Sequence, residues 1–273
     1  MPRGSPAASS TGRRRGPIAL GRDRTPSVPG HEVSGVVAEL GYGTTGLTVG
    51  QRVFGLTDWA RNGSLAEYVA VEARNLAPLL GRCRPHRGRR AADLRTDRVA
   101  GPVRPRPSGR SAQTVLIHGV AGGVGSVAAQ LAREAGARVI GTGRAGDRDT
   151  AFGLGVDAFL DLRADPLEDA GQVDVVFDVI GGDVLDRSAA LVRAGGTLVT
   201  IVSPPAVRPP DGRAIFFVAE ADRARLADLA RRVQDGRLRP IVGAARTLAE
   251  APSAFAPTQR VSGKTIIRVT EGG

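Results

Sequence analysis

Cysteine is almost absent: Cys83 is the only one in 273 residues. That excludes an internal disulfide framework and any zinc cluster built from several cysteines. Long apolar runs are absent too, and no stretch reaches the ~18 residues a membrane span requires. The first residues have no apolar core, so they do not read as a secretory signal. Lysine is reduced to a single residue, Lys264. A cytoplasmic protein without a membrane partner is the expectation. Hydrophobic residues make up 41%, ordinary globular usage, and the length suits one large domain or two small ones.

The formal net charge of +11 would by itself suggest an anionic partner. Its distribution argues otherwise. Residues 1–24 hold six Arg and one Asp, and residues 82–110 hold ten Arg and two Asp. The remaining 220 residues sum to −2. Binding of nucleic acid through these two arms is an alternative, with a steep salt dependence. The arms lack the interleaved aromatics on which single-strand readers stack bases, so nucleic acid is not the expected partner.

Two patterns divide the rest. Residues 28–78 alternate short apolar runs with glycine turns, at 33–38, 51–55 and 65–71, which predicts strands of a small barrel. From residue 114 the pattern becomes strand–helix alternation. Strands are predicted at 114–118, 138–142, 173–178, 197–202 and 214–218. Helices are predicted from 126 to about 135, with Gly136 as its C-cap, and over 221–234, where Leu226, Leu229, Ala230 and Val233 share a face. Residues 248–269 read as a short helix and a final strand. This order predicts a parallel, doubly wound sheet.

The first strand of that region runs into Gly119-Val120-Ala121-Gly122-Gly123-Val124-Gly125 and then a helix. Strand, glycine turn and helix in this order form a pyrophosphate cradle: the glycines admit the backbone, and the helix N-terminus supplies N–H donors and partial positive charge. The next strand ends Thr142-Gly143-Arg144. NAD-specific folds place a carboxylate there for the ribose 2′-hydroxyl. Here no carboxylate would repel a 2′-phosphate, and Arg144 is placed to pair with it. NADPH is the cofactor this predicts; the other reading of Arg144 is a solvated loop charge.

These residues resemble a known family. Pro29-Gly30-His31-Glu32-Val33-Ser34-Gly35, Val49-Gly50-Gln51-Arg52-Val53-Phe54-Gly55, residues 118–125, Phe177-Asp178-Val179-Ile180-Gly181-Gly182 and Gly263-Lys264-Thr265 together resemble the medium-chain dehydrogenase/reductase superfamily. The zinc-free, NADPH-dependent quinone oxidoreductases are the most similar branch. The resemblance implies an α/β fold: a Rossmann doubly wound parallel sheet plus a truncated GroES-like β-barrel domain. It implies a homodimer and a small quinone or enone as substrate. It places Asp178, Ile180 and Gly181, then Val202, Ser203 and Phe217, along the cofactor cleft; the phenylalanine reads equally as core. Lys264 reads as a cofactor-phosphate ligand or a solvated turn. His31 and Glu32 match the zinc-ligand pair of the alcohol dehydrogenase branch. That branch's preceding cysteine is missing, and a catalytic zinc takes about three protein ligands, so no metal is expected. No catalytic acid is legible. The implied domains are residues 28–79, 112–243, and a return over 244–273.

The resemblance breaks at 1–27 and at 80–111. The family connects its domains through an apolar helix containing Ala-Leu-Pro and Gly-Leu-Thr-Ala-Trp stretches. This chain has an Arg/Pro-rich segment of the kind that reads as a disordered linker. Back-translated from Cys83 and read one base later, the codons through Ser108 admit ADHTVAAALPISGLTAWQGLFDHGRL. The expectation is a frame slip near 79–82 and a return near 109–112. Residues 12–21 admit a shorter string of the same kind. The function the resemblance implies is an NADPH-dependent oxidoreductase transferring a hydride to a quinone or activated carbonyl or alkene; a catalytically impaired NADPH-binding remnant, for the chain translated as written, and a zinc-type alcohol dehydrogenase are the alternatives. Resequencing codons 75–115 from genomic DNA checks the frame slip: a lost and a regained base are expected, or else a shift of the GC-rich codon position within the segment. An unbroken frame with unshifted codon bias rejects it.

Overall fold

The computed structural model describes residues 26–79, 113–255 and 261–269. Both arginine-rich segments, Cys83 and the slipped-frame stretch lie outside the described residues, apart from residues 26 and 27.

Residues 114–216 build a six-stranded parallel sheet. Its strands are β4 (Thr114–His118), β5 (Arg138–Gly143), β6 (Ala158–Asp161), β7 (Val173–Asp178), β8 (Val192–Thr200) and β9 (Arg213–Phe216), in the spatial order β6-β5-β4-β7-β8-β9. The order reverses between β4 and β7, the switch point at which such sheets open a ligand crevice. The strands are short and β-branched because both faces of a parallel sheet are meant to be buried. One core cluster packs Leu116, Ile140, Val176, Leu185, Leu191 and Leu198 on the side of α3 (Asp183–Ser188). The other packs Ile117, Val120, Ala129, Val139 and Phe159 under α1 (Gly125–Glu134) and α2 (Arg148–Gly153).

The helix signals operate locally. Gly136 sits at φ +85° and accompanies a bond from the Ala137 N–H to the Ala132 carbonyl, closing α1 as glycine closes helices generally. α4 (Arg223–Gln234) starts two residues later than predicted, because the Asp222 carboxylate caps the N–H groups of Ala224 and Arg225 at 2.9 and 3.0 Å.

β1 (Glu32–Val36), β2 (Arg52–Leu56) and β3 (Leu76–Pro78) form an antiparallel sheet over a small core of Leu47, Val53 and Leu76. Residues 65–71 form no strand, contrary to their alternation. Side-chain alternation does not supply a ladder partner, and the order β1-β2-β3 leaves none for them among the described residues. Other boundaries also move. β8 begins at Val192 rather than 197 and ends at Thr200; β9 ends at Phe216. Three elements lacked a clear apolar period in the sequence: β6, α3 and β10 (Val242–Thr247). β10 pairs in parallel with β11 (Lys264–Arg268), after the short α5 (Ala251–Ala254).

Glycine is required where backbone meets backbone. A Cβ on Gly125 would lie 2.2 Å from the Gly119 carbonyl oxygen, so α1 could not approach β4. Gly125→Ala is expected to cost about 3 kcal/mol, the upper range for overpacking. Gly136→Ala meets open space and carries only the left-handed backbone penalty of about 1–2 kcal/mol. Urea unfolding of the two variants measures the difference.

Candidate functional site

The crevice opens at the carboxyl ends of β4, β5, β7 and β8. From β4 the chain turns through Gly119 and Ala121 into Gly122, Gly123 and Val124. Val124 precedes α1 without any side-chain cap; the Ser126 N–H is taken by the Gly122 carbonyl at 3.0 Å, and the remaining first-turn N–H groups are available to a ligand. The C-terminal segment closes on this loop. Gly263 bridges Gly122, and its N–H donates to the Ala121 carbonyl at 2.8 Å. The Lys264 stem passes over Gly123, where an added Cβ would meet it at 3.2 Å. This is a cradle of backbone N–H groups with no Cβ at two successive positions, which fits a pyrophosphate.

The floor of the crevice is a buried polar network. Asp178 is fully buried. Its carboxylate accepts the N–H groups of Ile180 and Gly181 at 3.0–3.1 Å and the Thr200 hydroxyl at 2.8 Å. His118 is equally buried. The Ser188 hydroxyl donates to the Val184 carbonyl at 2.6 Å and therefore accepts from His118 Nε2–H at 2.7 Å. Nδ1 is left to accept the Thr142 hydroxyl at 2.9 Å. The network thus places a proton on Nε2, and burial, which disfavours a second proton, keeps the imidazole neutral. Burial pushes this imidazole down to about 4, against the opposing pull of the Asp178 charge.

The predicted site residues fall into two groups. Gly119, Ala121, Gly122, Gly123, Val124, Gly125, Gly143, Arg144, Ile180, Gly181, Val202, Ser203, Phe217 and Lys264 gather around the strand ends and the returning tail. Thr142 and Asp178 share this region but turn inward, so they shape the crevice rather than line it. Phe217 is 43% exposed, which excludes the core reading. Lys264 forms an ion pair with Glu32 of β1. The other half of the His31–Glu32 pair, His31, hydrogen-bonds the Thr57 hydroxyl through Nδ1 at 2.9 Å and lies 4.3 Å from the Trp59 ring. Among the described residues no three His, Cys, Asp or Glu side chains are arranged to hold a metal.

Two residues escaped the sequence reading. One is His118, whose role depends on partners 24 and 70 positions away. The other is Asp147. The sequence reading has no carboxylate at the β5 end, but the chain brings this one back: Asp147 lies 3.0 Å from where a Gly143 Cβ would stand. One of its oxygens accepts the Arg144 N–H at 3.1 Å and the other the Ser262 hydroxyl. The only signal in the sequence is an acidic residue four positions after the strand end.

Comparison with known proteins agrees with this architecture. Residues 10–81 match the alcohol dehydrogenase GroES-like domain, and residues 154–267 match the zinc-binding dehydrogenase family. A 2-methylene-furan-3-one reductase from Solanum lycopersicum is 30% identical over 239 residues, 84% of this chain and 59% of the relative. The chloroplastic NADPH-dependent alkenal/one oxidoreductase of Arabidopsis thaliana is 32% identical over 241 residues, covering 84% and 60%. The chain therefore spans about three-fifths of these relatives' lengths. Among solved structures, the quinone oxidoreductase from Coxiella burnetii superposes with a TM-score of 0.75 at 24% identity, over 90% of this chain and 81% of that one. No helix among the described residues is long and apolar enough to cross a membrane.

The His118 network carries a pH signature. An unfolded histidine binds its proton near 6.5, whereas folded His118 binds it only near 4. Its contribution is therefore intact above pH 6.5. As pH falls from 6.5 to 4, the unfolded state gains the proton and stability drops by about 3 kcal/mol. Urea unfolding at a series of pH values should show this decline, and His118→Gln should flatten it.

Proposed function

Because this chain belongs to the medium-chain dehydrogenase/reductase superfamily and is quinone oxidoreductase-like, we propose that it is an NADPH-dependent reductase of a small quinone or activated enone. When bound, the cofactor supplies the hydride. The names of the two plant relatives, one of them NADPH-dependent, support a conjugated carbonyl acceptor. The observation that carries the cofactor assignment is the β5 end. Arg144 is exposed there, the Asp147 carboxylate is already engaged by a backbone N–H and a hydroxyl, and Asp161, beside Gly143 in register, accepts the Arg163 N–H. A 2′-phosphate meets a guanidinium rather than an acceptor-only group.

The chain's own residues bind and orient. The N–H groups at the start of α1 hold the pyrophosphate beside Gly122 and Gly123. The Asp178 carboxylate holds the Ile180–Gly181 turn as one wall of the nicotinamide site. Val202, Ser203 and Phe217 form the other wall. Exclusion of water from this space holds the ring against the acceptor. No side chain is assigned as the acid; water supplies the proton that follows the hydride. The protein works in the cytoplasm as a homodimer. Edge strand β9, with Ile215 and the neighbouring Val218 exposed, supports that assembly, since an apolar sheet edge invites pairing.

A specific observation favours a second reading for the chain as written. On one sheet face Val175, Phe177 and Val199 are only half-buried and Ile215 is 43% exposed, which favours a cofactor binder with impaired turnover. Assays on quinones and enones with NADPH and NADH test the first reading. NADPH consumption is expected, and Arg144→Ala should weaken NADPH about tenfold to a hundredfold while leaving NADH unchanged, the loss of one charge-assisted contact. Equal effects on the two cofactors would reject the role given to Arg144. Tight NADPH binding without consumption would select the second reading.

A further inference from the structure

Trp59 is the only tryptophan of the chain, and binding of the cofactor leaves it without a role. It lies on the turn after β2, outside the small core of Leu47, Val53 and Leu76. Its Nε1–H donates to the Ala219 carbonyl at 2.7 Å, 160 positions away. Ala219 is three residues beyond the end of β9. Between them the Phe217 N–H donates to the Thr200 carbonyl, at the end of β8, at 3.4 Å. The indole therefore reaches the crevice at its β8–β9 end, across the switch point from Arg144. A dinucleotide laid across a sheet of this order has its adenine half over β4 to β6 and its nicotinamide half over β7 to β9.

The two walls of the nicotinamide site meet one another below this ring. A Cβ on Gly119 would stand 3.5 Å from Ile180, and one on Gly181 would stand 2.6 Å from a Val202 methyl. Cradle, Ile180 turn and Val202 thus form one surface, which Phe217 extends. Ile180 and Phe217 leave 37% and 43% of their area open, apolar surface of the kind that marks a ligand site. On the other side the indole is backed by His31, with ring centroids 4.3 Å apart and planes tilted by 45°. His31 is pinned in turn: Nδ1 bonds the Thr57 hydroxyl at 2.9 Å, and its carbonyl accepts the Thr57 N–H at 2.8 Å. Next to it Glu32 meets Lys264 above Gly123. The corner at 31–32 and Trp59 together roof the crevice from the pyrophosphate cradle to the nicotinamide end.

We propose that Trp59 recognises the acceptor: a flat, conjugated molecule lies against its indole, on the opposite side from the Ile180–Val202–Phe217 surface. The inference rests on the reductase function proposed above and gives that site its acceptor class, a quinone or aryl-conjugated enone in preference to a compact aliphatic one. The indole face is electron-rich and the acceptor's π-system electron-poor, so offset stacking favours the flat acceptor by up to about tenfold beyond the area it buries. The bond to Ala219 holds the ring in place before the acceptor arrives, so little side-chain freedom is lost on binding. The acceptor gains a hydride from the cofactor and a proton from water; Trp59 exchanges neither.

A single tryptophan makes the test direct, since all indole emission comes from Trp59. The full chain, with NADP+ present, is titrated with 1,4-naphthoquinone. Contact predicts static quenching that saturates and leaves the emission lifetime unchanged. Collisional quenching alone, linear in quinone with a shortened lifetime, overturns the proposal. In steady-state assays Trp59→Ala should lower kcat/KM for 1,4-naphthoquinone about tenfold, through KM, the stacking contribution above. The same variant should leave kcat/KM for but-3-en-2-one and the affinity for NADPH nearly unchanged. Trp59→Phe keeps a ring without the Nε1–H and should recover most of the quinone rate. An equal loss on both acceptors, or a loss of NADPH binding with it, makes Trp59 a packing residue and overturns the assignment. Should Trp59→Ala not fold, the quenching titration of the unaltered chain decides alone. A chain that neither binds nor oxidises NADPH fails the reductase function instead. Quenching is read without turnover, so the two failures are distinguishable.

Discussion

Everything at the crevice depends on how closely three stretches of backbone approach one another. Gly125 brings the first turn of α1 to van der Waals contact with the Gly119 carbonyl, and Gly141 does the same for β5, where an added Cβ would stand 2.6 Å from a Val120 methyl. No other residue type permits either approach. Because they occur, the N-terminus of α1 sits directly over the sheet's carboxyl edge, where uncapped N–H groups and the helix dipole can act on an anion. The returning tail then closes on the same loop through Gly263. One packing constraint thereby fixes the cradle, its charge and the point at which the small antiparallel sheet is tethered.

Beneath that cradle the protein keeps polar groups inside its core, a costly arrangement unless each is paired. They are all paired: no buried side-chain polar atom lacks a partner among the described residues. Asp178 ties β7 to β8 and holds the Ile180–Gly181 turn. His118 ties β4 to β5 and to α3. The strand ends are cross-linked just where the sheet opens, so the crevice has a rigid floor. The pairing also keeps these groups from chemistry. A neutral His118, enclosed by two hydroxyls, is a spacer with directional bonds.

The sequence alone determined the alternation of strand and helix, the glycine turn, the start of α1, the Arg144 strand end and the foreign character of the two basic segments. These are encoded locally, by periodicity of two or 3.6 residues and by residues with special backbone freedom. Only the tertiary structure decided the rest. It denied residues 65–71 a strand, because pairing needs a neighbour that alternation cannot provide. It revealed β6 and β10, whose ladder partners β5 and β11 lie elsewhere in the chain. It turned Thr142 inward to His118, held Asp147 to Ser262, and gave Lys264 to Glu32. Each of these is a contact across tens or hundreds of residues, and such contacts leave no local period to read.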